Sequence, residues 1–422
     1  MNAKTSSIAE SQSERIARVI FQHATRIGSE QEISELVRLN ADLARDLIGA
    51  ERCTLWLLDE RNHQLWTKVA HGTEEIRIPA GRGLVGASIA NDEILIINDV
   101  SADQRFFGDV DHTRGYQTRS AACMPLRTSH GVIGALQLLN KPGGFTEEDA
   151  SLLRMMGAYA GSAIESERLR QEAEAARLLR HELEIASEVQ RSLFPQDPQP
   201  VRGLEYTGFC RPARFVSGDY YDFMELPAGG FALTLGDVSG KGVPAAVMMA
   251  SIQTLFRSFL TRLPSGLSQV VTDLNNAVHR SSTPERYSTL FCALLNPERN
   301  QLTYVNAGHL APMIVRHSDG KIDRPEQGEL PVGLLPSVDY TEHSVEVAPG
   351  DLIVCVSDGV FDVQNPDGEL WDSEAVDATL RDNRNQPIST IAEKLIQAID
   401  AYAAGSEQFD DITVIVIRIN PD

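Results

Sequence analysis

The amino-acid sequence predicts an α+β protein of two domains joined by a long helix, and three observations lead to this prediction. The chain has 422 residues, whereas a typical domain has roughly 150. Strand-like runs between residues 53 and 139 lie between stretches of helical spacing, and a second mixed set of segments follows residue 195. The segment between the two sets has helical spacing and ends at three helix-breaking prolines, Pro195, Pro198 and Pro200.

The first elements are predicted to be helical. Apolar residues recur at helical spacing within residues 1–28, which predicts an N-terminal helix. Ser29 can cap the next helix, because Glu32 stands three residues later and completes a capping-box pattern. This second helix should run to about Ile48, and it opens a domain that we place at residues 29–165.

Strands follow in this first domain. Between Cys53 and about Leu139 the strand-like runs are CTLWLLD, HQLWTKVA, EILIIND and GVIGALQLLN. Turn-prone residues 59–62 separate the first two runs. We therefore expect an antiparallel sheet flanked by helices.

A long helix is predicted to join the two domains. Thr146 can cap it, with Asp149 at the third helical position, and the helical pattern continues to about Leu193. Within residues 166–194 a heptad register has apolar residues at six of eight core positions; these positions are Leu169, Glu172, Ala176, Leu179, Leu183, Ala186, Gln190 and Leu193. The pattern is typical of a short parallel coiled coil and predicts a homodimer. A single amphipathic helix packed on its own chain is the alternative.

Residues 195–422 are predicted to form the second domain. Its strand-like runs include FALTLGD, QLTYVNAG, DLIVCVSD and ITVIVIRI. Helical stretches lie near residues 243–262, 266–281 and 388–404.

Composition and charge disfavour several classes of function. The formal net charge is −21, which repels nucleic-acid backbones. Five scattered cysteines with no Cys-x-x-Cys pair argue against a zinc site and a disulfide framework. The N-terminus has no apolar signal core, and no apolar stretch reaches the roughly 20 residues of a membrane span. We expect a cytoplasmic protein that binds neither nucleic acid nor membrane.

Aspartates at predicted strand ends are the candidate chemical groups. They lie in SGDYYDF, at the end of FALTLGD, in VSDG and directly before ITVIVIRI; the residues are Asp219, Asp222, Asp237, Asp358, Asp410 and Asp411. Clustered carboxylates repel one another unless a hard cation such as Mg²⁺ or Mn²⁺ neutralises them. Each Asp-Gly pair taken alone is better explained by a turn.

Six motifs in order carry a resemblance to a known family: SGDYYDF, GDVSGKGVPAAVMMAS, YSTLFCALL, YVNAGHLAP, VSDGVFD and FDDITVIVI. Over about residues 188–419 the chain resembles the PPM-type metal-dependent serine/threonine phosphatases, and more narrowly the RsbU/SpoIIE branch. This resemblance implies an αββα sandwich for the second domain.

The resemblance also implies a centre of two Mn²⁺ or Mg²⁺ ions. Asp237 would bridge the two ions, with the backbone carbonyl of Val238 helping to hold one of them. Asp219 would serve the second ion, directly or through water, and Asp358 and Asp410 would bind the first.

Other residues near these motifs have more than one interpretation. Asp411 would support the centre, while Asp222 is better explained as a structural residue. Arg214, five residues before Asp219, is either a phosphate clamp or a solvated surface arginine. His309 in the NAGH motif is either a general acid or a buried, hydrogen-bonded loop histidine.

The first domain resembles a GAF domain over about residues 30–165. The runs that carry this resemblance are IRIPAGRGLVGASIANDEILIINDVSADQRF and CMPLRTSHGVIGALQLLNK. The resemblance implies binding of a small ligand, cyclic nucleotides among them, or dimerisation. Candidate ligand residues are Asn140, Lys141, Phe145 and Asp149, which partly match the pattern of cyclic-nucleotide GAF domains. A purely structural role for these four is the alternative.

Together the two halves imply a sensor-regulated enzyme. Metal-activated water would hydrolyse phosphoserine or phosphothreonine, and the usual substrate in the RsbU branch is a phosphorylated STAS-domain anti-anti-sigma protein. We hypothesise that a change in the GAF domain shifts the helix HELEIASEVQRSLFP, and thereby the elements that carry Asp219 and the helix after Gly242. The alternative is a GAF-driven dimeric scaffold that sequesters a signalling partner and has little phosphatase activity.

Overall fold

The chain divides into two compact units, residues 1–178 and 179–422. The computed structural model describes residues 18–19, 23, 32–67, 76–107, 116–196, 199–227, 229–261, 266–283, 285–325 and 328–421. Most of the predicted N-terminal helix, and the predicted Ser29 cap, lie outside these residues.

The first unit is a six-stranded antiparallel sheet with helices on both faces, which confirms the predicted α+β arrangement. In chain order its strands are β1 (Arg52–Asp59), β2 (Gln64–Thr67), β3 (Ile76–Pro79), β4 (Leu95–Ile97), β5 (Ala121–Thr128) and β6 (Gly131–Leu139). Their order across the sheet is β3-β2-β1-β6-β5-β4. One apolar core lies between one face of the sheet and helix α1 (Ile33–Ile48), and a second lies between the other face and helix α2 (Gly83–Asn91).

Helix α1 begins later than predicted. It starts at Ile33, so Glu32 occupies the N-cap position and makes no side-chain cap bond. The predicted capping box with Glu32 at the third helical position is therefore wrong. Strand β3 and helix α2 were not predicted. Helix α2 was missed because it is apolar on most of its length and shows no clear helical face.

Helix α3 (Glu147–Arg191) is a continuous helix of 45 residues that runs from the first unit into the second. Its predicted cap is confirmed: the Thr146 N–H donates to Asp149 Oδ2 at 2.8 Å, and the Asp149 N–H donates to Thr146 Oγ1 at 3.3 Å. Several of its apolar side chains are about half exposed or more; they are Leu169, Leu178, Leu179, Ile185 and Val189. The helix ends before Leu193, the last predicted heptad position.

The second unit is an αββα sandwich, as the family resemblance implied. Its strands are β7 (Leu204–Arg211), β8 (Tyr220–Glu225), β9 (Phe231–Val238), β10 (Ser288–Leu295), β11 (Gln301–Ala307), β12 (Met313–Val315), β13 (Ile322–Asp323), β14 (His343–Glu346), β15 (Leu352–Val356) and β16 (Ile412–Ile419). They form two five-stranded sheets, ordered β14-β11-β10-β9-β8 and β13-β12-β15-β16-β7. Its helices are α4 (Val243–Leu260), α5 (Leu267–Ser281), α6 (Ser373–Asn383) and α7 (Ile388–Ala403).

Three apolar cores hold these four layers together. The first lies between the two sheets and includes Leu235, Phe291 and Ile415. The second joins α4 and α5 to the sheet that contains β9, and the third joins α6 and α7 to the sheet that contains β16.

Helix α4 alone among the described helices is long and apolar enough, by length and composition, to cross a membrane. Its buried residues include Met249, Ile252 and Phe256, which pack in the core beneath the sheet. Its apolar character is therefore explained by this core.

Candidate metal centre

Asp219 and Asp237 meet at the end of the first sheet of the sandwich. Strands β8 and β9 are antiparallel neighbours with Tyr220 opposite Gly236, so Asp219, directly before β8, faces Asp237 in β9. Asp219 is only 1% exposed, and Asp237 lies close enough for its charge to raise the pKa of Asp219. Strand pairing thus brings together two carboxylates that are 18 residues apart in the sequence.

Asp358 and Asp410 meet at the end of the second sheet. Strands β15 and β16 are antiparallel neighbours with Val356 opposite Val414. Asp358 begins a 3-10 turn soon after β15, and Asp410 lies just before β16. A Cβ at Gly359 would collide with the backbone of the segment before β16, so only glycine permits this close approach.

Side-chain hydrogen bonds join the two sheet ends. Thr413 Oγ1 donates to Asp219 Oδ2 at 2.6 Å, which links β16 directly to the loop before β8. The Asp411 carboxylate accepts from Ser217 Oγ at 2.8 Å and from the Gly218 N–H at 2.7 Å. Asp411 therefore binds the loop that carries Asp219, in agreement with the supporting role expected for it.

The aspartates at these two sheet ends lie close to one another, and the described side chains around them do not fully neutralise their negative charge. Burial raises the pKa of Asp219 well above its usual value, and the nearby Asp237 raises it further. Burial raises the pKa of Asp237 to about 7, with Asp358 and Asp410 as the next causes. The pKa of Asp358 is also raised, first by burial and then by Asp410. Lys241 Nζ lies 3.0 Å from Asp410 Oδ2, at the partly exposed side of the group. Such a site favours a bound cation.

The donor set fits a hydrated hard cation. Among the residues that the structure describes, no three acidic, histidine or cysteine side chains converge closely enough to enclose an ion by themselves. Mg²⁺, however, usually keeps several waters and needs only one or two carboxylates. A Cβ at Gly218 would lie 3.0 Å from the Val238 carbonyl oxygen and 3.5 Å from Asp237 Oδ1. Glycine therefore leaves space beside the predicted backbone ligand.

Two other predicted residues have clear surroundings. Asp222 is buried and accepts hydrogen bonds from the Arg257 guanidinium of α4, one of them from Nη2 at 2.6 Å, so its charge is compensated and its role is structural. Arg214 is exposed and forms no hydrogen bond or ion pair within the described part of the chain. Its role as a phosphate clamp stays a prediction.

His309 is a partly buried histidine that is hydrogen-bonded to a neighbouring strand. Its Nδ1 lies 2.8 Å from Thr289 Oγ1, and Thr289 is the residue opposite Asp237 in the sheet. Burial lowers the pKa of His309 to about 4, so the ring is neutral at pH 7. A neutral, hydrogen-bonded ring agrees with the loop histidine considered from the sequence, and it does not favour a general acid.

The candidate ligand residues of the first unit make contacts within the unit itself. The Asn140 side chain accepts from the Arg119 N–H at 2.7 Å and donates to Glu51 Oε2 at 3.0 Å. Lys141 Nζ lies 2.6 Å from Asp149, and Phe145 is buried. None of the four candidates lines either of the two cavities that the structure describes in this unit, of about 990 and 830 Å³. These contacts agree with a structural role, and ligand binding by these residues stays untested.

Gln190 is a residue that the sequence interpretation placed incorrectly. It occupies a core position of the predicted heptad, yet its side chain is buried against the loop before Asp219. Its Nε2 donates to the Ser217 carbonyl at 2.7 Å, and its Oε1 accepts from the Ser217 N–H at 2.9 Å. The available signal was its polarity, since glutamine is unusual in a heptad core.

Comparison with known families agrees with this geometry. The GAF domain family matches residues 32–164, and the family described as Stage II sporulation protein E (SpoIIE) matches residues 227–420. The chain joins a GAF domain to a SpoIIE-type phosphatase domain. This finding confirms the resemblances of both halves and their order along the chain.

Two curated relatives and one solved structure extend the comparison. The chain is 28% identical over 243 residues to Phosphoserine phosphatase RsbU of Bacillus subtilis (strain 168), covering 57% of this chain and 70% of RsbU. It is 29% identical over 270 residues to Protein IcfG of Synechocystis sp., and spans less than half of that relative, 42%. The SiaA-PP2C domain of Pseudomonas aeruginosa matches 59% of this chain and 100% of its own, with a TM-score of 0.53 and 21% identity. That structure supports the fold of the SpoIIE-type domain.

Proposed function

We propose that this protein is a sensor-regulated, metal-dependent phosphatase that hydrolyses phosphoserine or phosphothreonine in a protein substrate. The observation that carries the proposal is the group of four aspartates at one end of the sandwich; these are Asp219, Asp237, Asp358 and Asp410. The raised pKa values of Asp219, Asp237 and Asp358 indicate a site built for cations. Bound Mn²⁺ or Mg²⁺ would supply an activated water and neutralise charge on the phosphoryl group.

The chain's own residues have separate roles in this proposal. Asp237 would serve both ions, and the Val238 carbonyl would help to hold one of them. Asp219 would serve the second ion, directly or through water, and Asp358 with Asp410 would hold the first. Thr413 fixes the orientation of Asp219 through its 2.6 Å hydrogen bond. The exposed Arg214 would orient the phosphoryl oxygens.

The substrate that we propose is a phosphorylated STAS-domain anti-anti-sigma protein. The support is the similarity to RsbU, a phosphoserine phosphatase by name, together with the RsbU/SpoIIE pattern of the motifs. We place this reaction in the cytoplasm, because the five cysteines are free and four of them are buried, as is usual in a reducing compartment.

Regulation would pass through helix α3. The helix begins within the GAF domain, and its last turn holds Ser217 through Gln190, two residues before Asp219. A change in the GAF domain that moves this turn would move Asp219 with it. A GAF ligand must then bind the active and inactive arrangements with different affinity.

The same helix supports the proposed homodimer. Leu178 and Leu179 are 59% and 58% exposed, which is costly for apolar side chains in water and favourable once a second helix covers them. We expect the full chain to be a dimer at micromolar concentration in sedimentation equilibrium. We also expect the double variant Leu178→Glu/Leu179→Glu to be largely monomeric, with Glu182→Ala on the same helix as the control. A monomeric wild-type chain would contradict the dimer.

Hydrolysis assays test the catalytic proposal. We expect the purified chain to release phosphate from p-nitrophenyl phosphate and from a phosphoserine peptide at least about 100-fold faster with Mn²⁺ than with EDTA, because the ions supply both nucleophile and charge compensation. Mg²⁺ should restore part of the rate. Equal rates with Mn²⁺ and EDTA would contradict a metal-dependent phosphatase and favour the dimeric scaffold.

A further inference from the structure

A cavity of about 400 Å³ lies beside the candidate metal centre. Its lining includes Gly359 and Phe409, the immediate chain neighbours of Asp358 and Asp410. Asp362, also in the lining, lies on the same turn as Asp358, because the Asp362 N–H donates to the Asp358 carbonyl at 3.0 Å. The cavity is therefore built from the same two segments that carry the candidate metal ligands.

The floor of this cavity is apolar. Ile399 and Ile412 are buried, and Ala403 at the end of α7 is partly buried. Phe409 also lines the cavity and is 51% exposed. These side chains suit the hydrocarbon stem of a long side chain, since the stems of lysine and arginine commonly pack on apolar and aromatic surfaces.

The polar lining of the cavity is mainly acidic. Asp400 is paired with Arg211 at 2.7 Å. Within the described part of the chain, the carboxylates of Asp362 and Glu407 have no ion-pair partner. The lining as a whole thus has three carboxylates and one guanidinium, a formal charge of 1 − 3 = −2. A purely apolar occupant would remove water from these carboxylates without replacing it, and an acidic occupant would be repelled by them.

We propose that this cavity binds a lysine or arginine side chain of the phosphoprotein substrate, close in sequence to the phosphorylated residue. The proposal rests on the phosphatase function proposed above. The substrate chain must cross the mouth of the metal centre, so a residue within about three positions of the phosphoserine can reach the adjoining cavity. Its stem contacts the apolar floor and Phe409, and its cationic end pairs with Asp362 and Glu407.

Matched phosphopeptides test this cavity in the full chain. We compare kcat/KM for phosphoserine peptides that differ only at the flanking positions, which carry arginine, alanine or glutamate. We expect the arginine peptides to exceed the glutamate peptides by about tenfold or more at one or more of these positions, and alanine to lie between them. Equal values for all three at every flanking position would overturn the proposal.

Variants in the cavity separate this effect from general damage. Glu407→Arg should reverse the preference for basic over acidic peptides, and Ala403→Met should fill the cavity and lower kcat/KM for the arginine peptide about tenfold. Both variants should keep the wild-type rate with p-nitrophenyl phosphate, which is too small to reach the cavity. Glu393→Arg, an exposed change elsewhere on α7, is the control for added charge.

The outcomes distinguish the cavity from the catalytic proposal. An unchanged peptide preference in Glu407→Arg, or an equal loss with p-nitrophenyl phosphate and peptide, would overturn the cavity and leave the phosphatase in place. A wild-type chain that hydrolyses neither p-nitrophenyl phosphate nor any peptide would overturn both.

Discussion

Asp237→Asn is expected to lower the Mn²⁺-dependent hydrolysis of p-nitrophenyl phosphate by about 1000-fold, or ~4 kcal/mol in the activation barrier. Asparagine has nearly the same shape as aspartate but no charge, so the change removes the ligand that would serve both ions without opening a cavity. Asp358→Asn should cause a loss of similar size, since Asp358 is a proposed ligand of the first ion and its charge also acts on Asp237. Asp339→Asn, an exposed aspartate of the same unit, should keep the wild-type rate.

The pH dependence of metal activation gives a second measurement on these variants. The pKa of Asp237 is raised to about 7, so protons compete with Mn²⁺ for this carboxylate below that pH. The apparent affinity for Mn²⁺ should therefore rise between pH 6 and pH 8 in the wild-type protein, and more weakly in Asp237→Asn. If Asp237→Asn had the same rate and the same Mn²⁺ requirement as the wild-type protein, the assigned metal centre would be ruled out.

The sign of the stability effect follows from the same pKa shift. A carboxylate with a raised pKa in the folded state binds more protons when folded than when unfolded over the range from about pH 4 to pH 7. The free energy of unfolding of the metal-free wild type should therefore fall as the pH rises through this range. Asp237→Asn lacks this group, so its unfolding free energy should fall less. Chemical denaturation with EDTA at several pH values measures both slopes.

Gln190→Ala is expected to lower phosphatase activity about 10- to 100-fold. The change removes both hydrogen bonds to Ser217 and leaves a buried N–H and carbonyl unpaired, which costs about 1–3 kcal/mol for each group. Ser217 Oγ also accepts from the Asp219 N–H at 2.9 Å, so a displaced Ser217 would move the backbone of a candidate metal ligand. The rate should recover in part at high Mn²⁺ concentration, because the ligand is displaced and not removed.

Two further variants give this prediction a sharp control. Gln190→Glu keeps the acceptor for the Ser217 N–H but places a carboxylate against the Ser217 carbonyl, so its loss should equal or exceed that of Gln190→Ala. Glu188→Ala is an exposed change on the same turn of the helix and should have wild-type activity. The measurement is the Mn²⁺ concentration at half-maximal rate, with thermal unfolding as a check on folding. An unchanged Mn²⁺ dependence in Gln190→Ala would show that the last turn of α3 does not control the centre.

Local sequence patterns predicted most secondary structure in the second unit. The run FALTLGD forms β9 and the run ITVIVIRI forms β16. Both are largely apolar runs bounded by an aspartate, and ITVIVIRI is also rich in β-branched residues, which favour strands. The predicted cap of α3 at Thr146 was also confirmed, since a capping box depends only on residues one turn apart. Helix α2 was missed because apolar residues cover most of its surface, so periodicity does not distinguish it from a buried strand.

Gln190 shows most clearly what local pattern could not predict. The heptad register treats α3 as one repeating surface, but the last turn of the helix contacts a loop that follows 27 residues later. Asp222 illustrates the same point, because its partner Arg257 comes from α4, 35 residues further along the chain. Such contacts depend on how the elements pack, and no spacing rule within one element reports them.

Residue patterns alone indicated that the chain joins a GAF domain to a SpoIIE-type phosphatase domain, and that aspartates lie at the ends of several of its strands. Ordered motifs and local periodicity are properties of neighbouring residues, and they can be read without coordinates. The folded structure was needed to show that Asp219 faces Asp237, that Thr413 donates a hydrogen bond to Asp219, and that Gln190 holds the loop before Asp219. These are contacts between distant segments, set by strand pairing and by the stacking of two sheets, and burial in that stack is what raises the pKa values of the aspartates.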